Sequence, residues 1–121
     1  MADRPHVGVL VPSMFIGIAV ETAIREVGAQ PRALVHAEDA APTKCRALVA
    51  DLDAFGPNAA TVIRTLASAG MVVLVFAASG EDARLRAARA AGAVAMSRAS
   101  LLARLPELLT LALGSTGKAN R

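Results

Sequence analysis

The residues best placed to do chemistry are two carboxylates, Asp51 and Asp53, in the segment Arg46-Ala47-Leu48-Val49-Ala50-Asp51-Leu52-Asp53. Asp51 closes an apolar run, and a carboxylate at the C-terminal end of a buried strand sits where open α/β sheets place their ligands. Two more carboxylates from the first strand would let the three hold Mg²⁺ and make Asp51 a phosphoryl acceptor. That first apolar run instead ends Val9-Leu10-Val11-Pro12-Ser13-Met14, with no acid. Three roles therefore stay open for Asp51 and Asp53: solvated or loop-capping strand-end carboxylates, a residual anion or metal site, or a phosphoacceptor. A wider set, Ser13, Asp51, Asp53, Ser79 and Arg98, falls at the ends of apolar runs. It could line a small pocket in which one arginine beside hydroxyls grips a phosphate or carboxylate. Neither G-x-G-x-x-G nor G-x-x-x-x-G-K-[ST] is present to cradle a phosphate.

The remaining reactive side chains carry less. His6 and His36 each stand alone on apolar runs and read as core or strand-end residues with a satisfied hydrogen bond. No metal-ligand spacing links them to Cys45, so no metal and no cofactor are expected. A lone cysteine cannot form an internal disulfide and reads as a small buried hydrophobe in a reducing cytosol.

These groups must be positioned by a chain of 121 residues, 55% hydrophobic and 19% charged, which is one domain with a core of its own. Aromatic residues are 2% of the chain, all Phe, so there is no stacking platform for nucleic acid. The net charge of +3 is weak evidence for a polyanion partner. The N-terminus does not read as a signal peptide, and no apolar stretch reaches membrane-spanning length. The expectation is a cytoplasmic protein with no membrane partner and no nucleic-acid partner.

Short apolar runs, His6–Val11, Ala33–His36, Ala47–Ala50, Met71–Ala77 and Ala93–Met96, alternate with helical patterns, the mark of βα units and a parallel sheet. Ser13 caps a first helix with Ile16, Val20, Ala23, Ile24 and Val27 inward and Gly28 as its stop. Asn58 caps a second, ending at Gly70; Glu81-Asp82 open a third, closed by Gly92. Ser100 to Leu113 forms a fourth, which Pro106 is expected to kink or restart. The second and third strands are joined by too few residues for a full crossover helix, so one helical turn at most is predicted there. Residues 1–113 form the domain, and 114–121 read as a disordered polar tail.

From residue 46 onward the chain resembles the receiver domains of bacterial two-component response regulators. Leu48-Val49-Ala50-Asp51-Leu52-Asp53 is similar to the phosphoacceptor strand, with Asp51 at the acceptor position. Val73–Ala93 is similar to the fourth strand, its loop and the next helix, ending in Ala-Gly-Ala, and Met96–Leu102 falls where receivers carry their lysine. The resemblance implies a flavodoxin-like, doubly wound α/β fold, a five-stranded parallel sheet in the order 2-1-3-4-5. The short linker leaves the helix between its second and third strands, the second helix of that fold, short or missing. The resemblance also exposes departures. Pro12 and Ser13 stand where receivers keep paired acids, Ala77 where they keep a Ser/Thr, and Arg98 is the nearest cation to the lysine position. The implied protein is a stand-alone, non-enzymatic pseudo-receiver, a signalling adaptor that acts by protein–protein contact and forms a homodimer. The alternatives are an atypical phosphoacceptor using Asp51 and a sensor of a small anion at the strand C-termini.

Two surfaces suit such contacts. Helical geometry turns Met14, Phe15 and Ile18 away from the inward stripe of the first helix. On the last helix Leu102, Leu111 and Leu113 lie off the stripe made by Leu101, Leu105, Leu108 and Ala112. Receiver resemblance makes the face near this helix a dimer surface, with Arg86 and Arg89 among its bordering charges.

Overall fold

A computed structural model describes residues 4–40, 45–78 and 80–117 of the chain. Its strands are β1 (His6–Leu10), β2 (Gln30–Ala33), β3 (Ala47–Asp51), β4 (Val72–Ala77) and β5 (Val94–Ser97). The helices are α1 (Met14–Glu26), α2 (Ala59–Ser68), α3 (Asp82–Ala90) and α4 (Arg98–Gly117). All strand pairs are parallel, and the five-stranded sheet has the order β2-β1-β3-β4-β5. The expected doubly wound α/β topology is therefore the observed one.

Strand alternation divides the core between the two sheet faces, as period-two side-chain geometry requires. On one face Leu48, Ala50, Val73 and Val75 meet Ile63 and Leu66 of α2 and Leu85 and Ala88 of α3. On the other, Val7, Val9, Val49, Leu74 and Phe76 meet Val20 and Ile24 of α1 and Leu101, Leu105 and Leu109 of α4. β3 and β4 are buried on both faces, which explains their continuous Val/Leu-rich runs.

Among its described residues the crossover from β2 to β3 holds no α-helix and is closed by other means. A 3₁₀ turn, Ala37–Asp39, follows β2, and Ala37, Ala40 and Cys45 are buried there with Leu34 packed against them. Gly8 makes room: a methyl group in its place would stand 2.8 Å from Leu34 Cδ1 and 3.1 Å from Leu48 Cδ1. The two leucine side chains thus lie directly over the β1 backbone, where a helix would otherwise sit.

Two elements differ from the sequence reading. The second strand is Gln30–Ala33, not Ala33–His36, so it begins three residues earlier. Apolar content misplaces it because β2 is an edge strand, exposed or half-exposed throughout, and needs no apolar run. Gln30 N donates to Pro5 O at 2.9 Å and Leu34 N to Val9 O at 2.9 Å, so even-numbered amides face β1. Pro31 falls on the outward side, where a missing N–H costs no ladder bond.

The second correction is α4, which runs unbroken from Arg98 through Pro106 to Gly117. Buried leucines on both sides of the proline, Leu101 and Leu105 before it and Leu108 and Leu109 after, anchor both halves to one sheet face. That packing outweighs a cost of about 3 kcal/mol for an interior proline. The helix begins at Arg98, two residues before Ser100, and Ser97 caps it, accepting from Ser100 N at 3.3 Å. Asn58 stands at the start of α2, yet its side chain makes no capping bond. The predicted tail extends beyond the described residues, which continue helically past Leu113 to Gly117.

Candidate functional site

Because every strand is parallel, the C-terminal ends of all five gather along one edge of the sheet. Ser13 follows β1 there, Asp51 ends β3, Ala77 ends β4, and Arg98 follows β5. Ser79 lies outside the described residues. The structure thus brings the positions of Ser13, Asp51 and Arg98 to one edge of the sheet. Among the described residues, however, no hydrogen bond or ion pair joins Asp51 to Ser13 or Arg98.

Ser13, Asp51 and Ser97 are instead engaged locally. Ser13 Oγ accepts from Ile16 N at 3.5 Å and caps α1. Asp51 Oδ1 accepts from Asp53 N at 3.0 Å, an Asx-type turn that starts the irregular 3₁₀ segment Leu52–Asn58. Ser97 Oγ donates to Ser100 Oγ at 3.0 Å and caps α4. Asp53 is tied elsewhere: Arg84 Nη1, from α3, donates to its Oδ1 at 2.7 Å. Glu81 Oε1 lies 3.5 Å from the same nitrogen. The hydrogen bond from Arg84 to Asp53, followed by the nearby Asp53 and Glu81 charges, raises the Arg84 pKa above its ordinary range.

Receiver chemistry needs Mg²⁺ beside the acceptor carboxylate, and the residues here do not fit it. Mg²⁺ prefers carboxylate oxygens in near-octahedral array. Among the described residues no group of three His, Cys, Asp or Glu side chains could hold a metal ion. The carboxylate two residues beyond Asp51 already carries a guanidinium, whose position is fixed by a hydrogen bond. Pro12 and Ser13, at the end of β1, are exposed and supply no charge.

The other sequence candidates separate clearly. Met14, Phe15 and Ile18 point outward from α1 as expected, with 76%, 88% and 57% of their surfaces exposed. Positions 14, 15 and 18 are neighbours at helical spacing, so they form one apolar patch. Val35, just past β2, is exposed at the same sheet edge. On α4 the exposed leucine is Leu111, whereas Leu102 and Leu113 are half-buried against the core. Arg86 is exposed, but Arg89 donates through Nε to Ala95 O of β5 at 3.0 Å, so it serves the sheet's edge strand. His6 is half-buried in β1, His36 is exposed before the 3₁₀ turn, and Cys45 is buried.

Sequence reasoning missed a half-open cleft of about 480 Å³ between α2 and α3. Leu52 and Ile63 line it, with Ala59, Ala60, Ala87 and Ala88 from the facing helices and Asp53, Gly56, Pro57 and Arg84. Of the four described pocket candidates, Ser13, Asp51, Asp53 and Arg98, only Asp53 belongs to it. The available signal was a pair of alanine-rich helix faces, but their opposition is a tertiary fact.

No helix among the described residues is long and apolar enough to cross a membrane. No protein-family model and no curated protein matches the chain. Solved structures do. A response regulator receiver protein from Burkholderia phymatum superposes with a TM-score of 0.71 at 23% identity, over 92% of this chain and 96% of that one. A response regulator from Thermotoga maritima gives a TM-score of 0.68 at 21% identity, covering 88% and 98%. Strand order, connectivity and these superpositions together give the chain the fold of the response regulator receiver domains.

Proposed function

We propose that this chain is a regulatory adaptor on the receiver fold, working by protein–protein contact and not by phosphotransfer. The observation that carries the reading is the state of the strand-end carboxylates. Asp51 caps its own loop, Asp53 is paired with Arg84, and β1 is followed by Pro12 and Ser13 in place of acids. Phosphoryl transfer to a carboxylate relies on metal and cation to stabilise the phosphoryl oxygens. The exposed Met14–Phe15–Ile18 patch beside this site supplies apolar surface of the kind that marks docking faces. A second copy of the chain is the first partner to test.

The test is a ¹H–¹⁵N correlation spectrum with and without Mg²⁺ and beryllofluoride, a mimic of the aspartyl phosphate. The reading expects an unchanged spectrum. Saturable shifts clustered at Asp51, Ala77 and Arg98 would overturn it. Light scattering then tests the docking face: a dimer converted to monomer by Phe15→Asp supports it, and a strict monomer at high concentration removes the homodimer.

One competing reading has a specific observation in its favour, the half-buried position of Asp51 at the C-terminal end of the central strand. It expects acetyl phosphate with Mg²⁺ to add a phosphoryl mass to the wild type and not to Asp51→Ala.

A further inference from the structure

The cavity between α2 and α3 lies on the sheet face opposite the α1 patch, and neither capping nor core packing accounts for it. Paired helices ordinarily close to 8–10 Å by interlocking side chains. Here both facing helices present alanines, Ala59 and Ala60 from α2 and Ala87 and Ala88 from α3, so the space between them stays unfilled. At about 480 Å³ it falls within the range of small-molecule sites, about 300–1,000 Å³. Its rim is held in shape by Gly56, whose φ of 72° and ψ of −158° belong to a region open essentially to glycine alone.

The charge around Asp53 selects the sign of a ligand. Arg84 already faces two carboxylates, Asp53 at 2.7 Å and Glu81 at 3.5 Å. An anion would have to displace one of them. Asp53 accepts from Arg84 through Oδ1 only, and among the described residues its Oδ2 has no hydrogen-bond partner. Two carboxylates against one guanidinium leave the group one negative charge in excess. We propose that this half-open cleft is a binding site for a small organic amine: an aromatic or branched apolar body seated among the alanines, its ammonium group held by Asp53 at the exposed rim. This differs in sign and in place from an anion pocket at the strand ends.

The experiment titrates tryptamine and phenethylamine into the ¹⁵N-labelled protein, with indole-3-propionate as the anionic counterpart. The amines are expected to produce saturable shifts at the amides of Gly56, Ile63 and Ala88. Asp53→Asn should weaken binding by about tenfold or more, the scale of one charge-assisted hydrogen bond. Ala60→Leu should abolish it by filling the space, with the β-sheet resonances unmoved to show an intact fold. Any one of three results overturns the proposal: no saturable shift with either amine, equal or tighter binding of indole-3-propionate, or unchanged affinity in Asp53→Asn. The α1 resonances report separately on the docking face, so the two readings fail independently.

Discussion

Replacing Asp51 by alanine and by asparagine separates a structural carboxylate from a chemical one. Asp51 Oδ1 accepts the Asp53 amide at 3.0 Å and so organises the turn leaving β3. An asparagine side-chain oxygen makes the same bond, and asparagine ranks with aspartate at such capping positions. Alanine makes none, and loss of a cap of this kind costs about 0.5–2 kcal/mol. The bond is solvent-exposed, so water can replace it, and the lower half of that range applies: about 1 kcal/mol for Asp51→Ala. Asp51→Asn should be within about 0.5 kcal/mol of wild type, as surface substitutions that keep their bonds are. Urea denaturation reads the difference directly. With a slope of about 1–3 kcal/mol per molar urea, Asp51→Ala should lower the midpoint by about 0.3–1 M while Asp51→Asn leaves it in place. Partner binding and oligomeric state should be the same in all three proteins. A phosphoacceptor makes a different pattern, since both substitutions remove the nucleophilic carboxylate and both should abolish any modification equally. Equal destabilisation by Ala and Asn, or a phosphoryl adduct present in the wild type and absent from both variants, would refute the capping argument.

Gly92→Ala should be among the most damaging single-methyl changes: φ is +113° and the new Cβ would stand 2.8 Å from Ala67 Cβ. The backbone share alone is about 1–2 kcal/mol, so thermal or urea unfolding should show a loss of about 2 kcal/mol or more, with Ala67→Gly in the same chain recovering only the steric part. Pro106→Ala should stabilise by about 1–3 kcal/mol, because it restores an amide to an exposed interior position of α4, and calorimetry checks it. The Asp53–Arg84 pair is exposed, so a double-mutant cycle should give a coupling of about 0.2–1 kcal/mol that vanishes at high salt. Bonding to Asp53 raises the Arg84 pKa, so its contribution is fully present below the ordinary arginine range and is lost only as pH climbs through the raised value. The Arg84 share of stability should therefore be flat between about pH 6 and pH 9, and a slope that disappears in Arg84→Met would contradict the pairing.

The legible parts of the fold were those written within one turn or one strand. Ser13 caps α1, Gly28, Gly70 and Gly92 follow three helices, and Val72–Ala77 reads as a strand buried on both faces. Local rules failed where packing elsewhere supplied the deciding energy. Pro106 ought to interrupt a helix, but four buried leucines around it hold α4 together. Pro31 ought to exclude a strand, but β2 is an edge and its outward positions require no amide. For the candidate site, the missing acids at Pro12 and Ser13 were plain from residue type, as was the outward face of Met14, Phe15 and Ile18. The use of Asp51 as a turn cap was one of three roles that residue type left open.

By itself the sequence determined the βα alternation, the two-sided burial of the central strands, and a strand-end carboxylate with no acids at the end of the first strand to help it hold a metal. Those properties follow from periodicity and residue chemistry, which act over a few residues. Only the tertiary structure decided that Asp53 pairs with Arg84, 31 positions away, and that alanines of α2 and α3 face each other across an unfilled space. Both depend on where two helices settle on one sheet face. That placement is set by the summed packing of Leu52, Ile63, Leu66, Leu85 and Ala88 against the strands, and no short stretch of the chain encodes such a sum.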